Sequence, residues 1–339
     1  MNISIFASIG AHNLWDELIL KNGIKLLEKE FPWKNVFRVF TYDRESSFFT
    51  QENVSYREYF PIDSKNPKNI FRNLKNISGF FTTLLWSDVV VIGGGGIIYD
   101  SEIQSNRDPL DQWIFRTRMA RVMRKKIYFY ALWIDIQHPQ NLEKLKSIFR
   151  SAWKTTVRDT KSFFTLKELG VDSDVVLDPV YSDKEWFIPQ GRSLLQSYTS
   201  RNFSMRDLQK YDFLWKKVGI AIRAGYIGKS KQDKIEILIL KEAFSYIEQQ
   251  GGKIIFLPHS FHTSDLKSND LLFLEQFLTE NREMKQTMQD VYNVYTQKQI
   301  DINIAMRLHS IILSEVYEIP YIALSYSQKT EETIKKLSS

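Results

Sequence analysis

The segment Ile304-Ala-Met-Arg-Leu-His-Ser310 carries an arginine and a histidine two positions apart. Arg307 offers a planar fork that matches a carboxylate or a phosphate. His309 supplies an imidazole, the side chain type that can move a proton near neutral pH. An apolar run precedes them and a helical pattern follows, so both sit at a strand-to-helix junction, where the helix N-terminus adds partial positive charge. Three further polar groups follow inferred strands of the same half. They are Arg223, then Pro258-His-Ser-Phe-His262 with Asp265, Asn269 and Asp270 behind it, and Ser325-Tyr-Ser-Gln-Lys329. If those strands are parallel neighbours, their ends form a concave cationic site. Of the five histidines, His12, His259, His262 and His309 fall after an inferred strand or at a helix start, and His138 does not. Each alone is more often a hydrogen-bonded structural group than a proton carrier.

A second candidate is Asp88-Val-Val-Val-Ile-Gly-Gly-Gly-Gly-Ile-Ile-Tyr-Asp100. Val89 to Ile92 read as a strand buried on both faces, and Gly93 to Gly96 as a tight turn whose bare N–H groups suit an anion. It is not a dinucleotide fingerprint, because Ile98 stands where the third glycine belongs, and no Gly-Lys-Ser/Thr follows to make a P-loop. The plain alternative is a turn that needs small residues. Asp172-x-Asp174 has the look of a metal pair but lies in a turn behind a capped helix, so no metal is expected.

The elements that must position these residues alternate. Residues 2–8 read as a strand, 10–16 as a polar loop and 17–31 as a helix, the opening of a doubly wound domain. Strands follow at 36–41, 89–92, 126–133, 154–157 and 175–179, with helices near 108–124, 139–152 and 160–169. Residues 43–80 show only weak periodicity. In the second half, strands at 218–223, 253–257 and 321–325 alternate with helices at 232–249, 269–281, 308–317 and 330–336. A Gly225/Gly228 loop and a short element at 299–303 complete it. The organisation is α/β, with residues 1–185 as one Rossmann-like domain, 186–216 as a linker and 217–339 as a second Rossmann-like domain, the two facing a cleft. Arg116, Arg118, Arg121, Arg124, Lys125 and Lys126 read as the solvated face of a helix.

Composition narrows the classes. The 339 residues are 43% apolar and 14% aromatic, enough for packed cores. No cysteine is present, which excludes disulfides and thiol catalysis and fits a reducing compartment. No secretory signal or membrane-spanning run is evident, so a cytoplasmic location is expected. A net charge of +6 suits an anionic small molecule or the inner face of an anionic membrane, and lacks the basic stripe that nucleic acid would need.

Taken in order, several motifs resemble the series found in polysaccharide pyruvyltransferases. They are Val91-Ile-Gly-Gly-Gly-Gly-Ile-Ile-Tyr-Asp100, Val157-Arg-Asp159, Gly170-Val with Val176-Leu-Asp-Pro179, Leu257-Pro-His-Ser-Phe-His262, Met306-Arg-Leu-His309 and Ser325-Tyr-Ser-Gln-Lys329. The resemblance implies a GT-B-like fold and transfer of a pyruvyl group from phosphoenolpyruvate to a sugar of a cell-surface glycan or its precursor, as in exopolysaccharide biosynthesis. It implies a saccharide or lipid-linked saccharide acceptor, no cofactor and no metal. It would place Arg223 and Arg307 on the donor anion, with Ser325, Lys329, Gly94 and Gly95 near it. His309 would be the acid/base, with His259 second, and Asp16, His262 and Asp100 would face the acceptor. The loop Gly10–Asp16 lacks the family's opening Gly-Asp, and the last motif lies close to Ser339, so the family's final cross-domain helix is expected to be short or missing. The alternative on the same fold is a nucleotide-sugar glycosyltransferase, and a non-catalytic sugar- or anion-binding module is a third.

Overall fold

The computed structural model describes residues 1–43, 49–59, 70–100, 109–184, 191–199, 203–224, 231–262 and 269–338. The chain forms two compact units, Met1–Ala11 with Asp16–Pro179, and His12–Trp15 with Val180–Ser339.

The first unit contains β1 (Asn2–Ile9), α1 (Leu14–Glu30, from Asp16 on), β2 (Val36–Thr41), β3 (Val54–Glu58), α2 (Ile70–Trp86) and β4 (Val89–Tyr99). It continues with α3 (Pro109–Val122), β5 (Lys126–Asp135), α4 (Leu142–Phe149), β6 (Ala152–Val157), α5 (Thr160–Glu168) and β7 (Asp174–Val175). The strands form one parallel sheet in the order β3-β2-β1-β4-β5-β6-β7. Apolar side chains alternate between its faces. Phe6, Phe40, Phe80 and Phe129 pack in one core, and Ile3, Ile5, Phe37, Val91 and Tyr128 in another. Such two-sided burial explains the near-continuous apolar strands.

The second unit contains β8 (Leu194–Thr199), α6 (Met205–Leu208), β9 (Lys217–Ala221), α7 (Lys231–Gln249), β10 (Lys253–Phe256) and α8 (Asp270–Glu275). It ends with β11 (Glu283–Met284), α9 (Met288–Thr296), β12 (Ile302–Ala305), α10 (Leu308–Val316), β13 (Tyr321–Ser325) and α11 (Gln328–Ser338). Its sheet is parallel as well, in the order β11-β10-β9-β12-β13-β8. The order reverses between β9 and β12, the place in such a sheet where ligands gather outside the carboxyl ends.

Four features differ from the sequence-based expectations. First, the glycine run is not a turn. β4 continues through it, with Gly93 opposite Tyr130 and Gly95 opposite Leu132 of β5. Close packing accounts for the glycines: a Cβ on Gly93 would lie 2.0 Å from the Tyr130 carbonyl oxygen, and one on Gly94, at φ 81°, would lie 2.5 Å from Ile19. Second, the segment expected as a linker supplies β8, which pairs with β13 from Leu194↔Tyr321 to Thr199↔Ser325. The buried Glu315 carboxylate of α10 accepts from the backbone N–H groups of Arg192 and Ser193 and fixes the approach to that strand. The two units meet in sequence at Pro179/Val180. Third, the strand expected at 175–179 is only the two-residue β7, followed by a 3-10 turn over Pro179–Asp183. Fourth, Arg116 is buried, its guanidinium 4.5 Å from the ring centroids of both Tyr59 and Trp113.

Candidate functional site

Parallel strands bring Arg223, His259, Arg307 and Ser325 to one edge of the second sheet, past the ends of β9, β10 and β12 and at the end of β13. What ties the first three together is Asp270, at the start of α8. Its fully buried carboxylate accepts N–H groups from Ala224 (3.0 Å), His259 (3.2 Å) and Ser260 (3.1 Å). It also takes the Arg307 guanidinium in a two-point bond, Nε to Oδ2 at 2.8 Å and Nη2 to Oδ1. One carboxylate thus collects donors from the loops after three strands. Burial alone would lower the Arg307 pKa, but the Asp270 charge and hydrogen bonds more than offset it, so the guanidinium stays charged. Arg223 is half-buried, with its guanidinium 4.8 Å from the centroid of the Tyr326 ring. Ser325 is buried and its hydroxyl donates to the Tyr198 carbonyl at 3.4 Å.

The two histidines singled out for proton transfer occupy unlike surroundings. His259 is fully buried. Its Nε2 lies 3.0 Å from the Tyr295 hydroxyl, which lies 2.7 Å from the Ser310 hydroxyl, while Asn303 donates to Ser310 and Ser314 at 2.7 and 2.8 Å. Burial, then the Arg307 charge, pushes the His259 pKa down to about 3, so its ring is neutral around pH 7. His309 is half-buried in the first turn of α10 and lies face to face with the Trp15 indole, with ring centroids 3.5 Å apart and planes 10° apart.

Trp15 reaches that ring from a short segment of the second unit. Asn13 and Ser260 form an antiparallel bridge, Leu14 N–H donates to the His259 carbonyl at 3.1 Å, and Phe261 N–H donates to His12 at 2.9 Å. His262, half-buried next in line, has its carbonyl bound by the Asn269 side chain at 3.0 Å. The Gly225/Gly228 loop and Asp265 lie outside the described residues, as does the side chain of Lys329.

The remaining predicted residues belong to the first unit. Asp16 is half-buried at the start of α1, and a Cβ on Gly95 would lie 3.6 Å from its Oδ1. Gly94 and Gly95 are buried inside β4. Asp100 is buried and accepts from Gln137 N–H (2.6 Å), His138 N–H (3.0 Å) and Asn141 Nδ2 (3.0 Å). Burial would raise its pKa, but those hydrogen bonds outweigh it and keep the carboxylate ionised. The geometry makes Asp100 a clasp for the loop after β5. Asp172 and Asp174 are exposed on the rim of a broad surface cavity of ≈ 990 Å³, which also holds Lys146, Arg150, Trp153 and Lys167. No group of three or more histidines and carboxylates that could hold a metal occurs among the described residues. Nor, among them, is any helix long and apolar enough to cross a membrane.

Sequence reasoning placed Asp270 only as a polar neighbour and gave Trp15 no role. The spacing of Asn269-Asp270 behind a strand-end histidine was the available signal for the first, and Asn269 indeed caps α8 by accepting from Leu272 N–H.

A family model described as polysaccharide pyruvyl transferase matches residues 16–328. No curated protein matches the chain in sequence. Solved structures share its fold. The UDP-GlcNAc 2-epimerase from Methanocaldococcus jannaschii is 12% identical with a TM-score of 0.54, over 99% of this chain and 87% of that one. Anabaena HepE, solved with UDP and glucose, is 12% identical with a TM-score of 0.51, over 100% and 89%. A putative UDP-N-acetylglucosamine 2-epimerase from Listeria monocytogenes is 9% identical with a TM-score of 0.51, over 98% and 82%. These neighbours are GT-B enzymes, and at such identities the likeness concerns the fold alone.

Proposed function

The chain belongs to the polysaccharide pyruvyl transferase family, and on that premise we propose that it transfers a pyruvyl group from phosphoenolpyruvate to two hydroxyls of a saccharide, forming a cyclic ketal. The observation that carries the assignment to residues is the strand end at Arg307 and His309, with Arg223 on the neighbouring strand. Phosphoenolpyruvate has a carboxylate and a phosphate. Arg223 and Arg307 hold these anions by charge-assisted bonds, aided by the first turn of α10, and Ser325 lies at the same edge. Pairing with Asp270 uses Nε and Nη2 of Arg307 and leaves Nη1 for the ligand.

The methylene carbon gains a proton and its neighbour becomes cationic. One sugar hydroxyl attacks that carbon, the C–O bond to phosphate breaks, and a second hydroxyl closes the ring. Of the two hydroxyl protons, one ends on the new methyl group and the other on phosphate. His309 is the group that moves them. His259 is fully buried and neutral, so its part is to hold the strand ends in place. His262 is assigned to the acceptor, and Asp100 shapes its own loop. The scheme routes no step through a metal.

The test is phosphate release from phosphoenolpyruvate by the pure protein, with chelator present and a panel of acceptor saccharides. A parallel series offers nucleotide sugars in place of phosphoenolpyruvate. Phosphate release that depends on acceptor and survives chelation is the expected result. Turnover of a nucleotide sugar with none of phosphoenolpyruvate would establish a glycosyltransferase instead.

A further inference from the structure

His309 is held from two sides. Inside, its neighbour Ser310 is fixed by Tyr295 and Asn303, so the first turn of α10 is tied to the buried network around His259. Outside, the imidazole lies flat on the Trp15 indole at van der Waals distance, nearly parallel. Aromatic pairs left to themselves favour offset or edge-to-face arrangements, so a close parallel pair requires both rings to be fixed by their backbones. The indole is so fixed. Trp15 is buried, its backbone N–H donates to Asn13 Oδ1 at 3.2 Å, and residues 12–14 are bonded to the strand-end loop at His259 to Phe261. The stack covers one face of the ring, and the ring's Nδ1 is buried.

We infer that Trp15 is a positioning residue, which by stacking sets the plane of the His309 ring for proton transfer. This rests on the assignment of His309 in the proposed reaction. Trp15 touches neither the donor's anions nor the reacting atoms in this scheme. Its loss therefore acts on turnover and leaves donor binding alone. A misplacement of about 1 Å in a catalytic group costs up to ~10²-fold in rate.

The experiment compares wild type, Trp15→Phe, Trp15→Leu and His309→Gln. Turnover is read as phosphate release, phosphoenolpyruvate binding by calorimetry, and the ring geometry by the histidine Hε1 resonances of the full chain. His309→Gln identifies the His309 signal by its disappearance. An indole stacked on the ring shifts that signal upfield whether or not the protein is active. Trp15→Leu is expected to move it downfield and to lower kcat by ~10²-fold with phosphoenolpyruvate affinity unchanged. Trp15→Phe, which keeps a flat ring, restores most of the rate and guards against a leucine variant that fails to fold. A His309 resonance that stays in place in Trp15→Leu overturns the stack. A moved resonance with normal kcat, beside an inactive His309→Gln, overturns the positioning role and leaves the proposed reaction standing. A fully active His309→Gln instead removes His309 from the reaction itself.

Discussion

Replacing Asp270 by asparagine keeps its size and removes its charge. Oδ1 accepts from Ala224 N–H and Arg307 Nη2, and Oδ2 from His259 N–H, Ser260 N–H and Arg307 Nε. An asparagine carbonyl can serve one of these sets, and its NH₂ then faces donors with donors. Arg307, only 11% exposed in its side chain, loses its counter-charge. Removing one member of a buried ion pair costs about 3–5 kcal/mol. At roughly 2–4 °C per kcal/mol for a unit of this size, the Asp270→Asn melting temperature should fall by ~6–20 °C. Scanning calorimetry reads the shift. The reasoning makes a second demand. Asp270→Asn combined with Arg307→Leu removes both charges together, and replacing a whole buried pair is often nearly neutral. The double variant should therefore melt above Asp270→Asn alone. A single variant that melts like wild type, or a double variant whose loss is the sum of the two single losses, would refute the account of Asp270 as the counter-charge of the site.

Other outcomes follow from the same geometry. His309→Gln should lower turnover by ~10²–10⁴-fold and leave the phosphoenolpyruvate Kd, by calorimetry, close to wild type. Arg223→Ala should weaken phosphoenolpyruvate binding by about 1.5–3 kcal/mol. Wild-type affinity should also fall as salt rises and the Debye length shrinks to ~3 Å near 1 M, so an affinity indifferent to salt would contradict electrostatic holding. His259 sits near 3 when folded, against ~6.5 unfolded, because burial and then Arg307 oppose its charged form. A lowered histidine pKa gives stability that is complete above ~6.5 and declines as pH falls toward 3, by about 1.4 kcal/mol per pH unit. His259→Asn should accordingly flatten the acid side of a urea-stability profile, and profiles of equal slope would exclude a buried neutral His259.

The parallel architecture was legible because β1, β4, β5, β9 and β13 are apolar runs set between helical patterns. The strand-end arginines and histidines could be named for the same reason, since a parallel strand fixes where its last residue goes. What escaped has physical causes. β8 and β3 are edge strands with half-exposed, mixed sequences, and β11 is two residues long, too short for any period. The glycine run was read as a turn because glycine permits both a turn and a close strand approach, and only the position of Tyr130 decides between them. Arg116 looked solvated because helical spacing offers the Trp113 ring one turn back but cannot reveal the Tyr59 ring contributed from elsewhere. Asp270 and Trp15 matter through partners distant in sequence, which local patterns do not encode.

The second sheet has a consequence for the order in which the chain can mature. Its first strand, β8, finds its neighbour in β13, and residues 12–15 find theirs at 259–261 and 309. Bringing together groups so far apart in sequence is slow, since the loop between them must be ordered before any contact is made. The sheet of the first unit, by contrast, is complete once Val175 has been made. During synthesis that sheet can assemble while the second unit is still unfinished. The stack on His309 is assembled only when α10 has emerged to meet a tryptophan laid down at the start, so the segment that carries it must wait through most of translation without its partner.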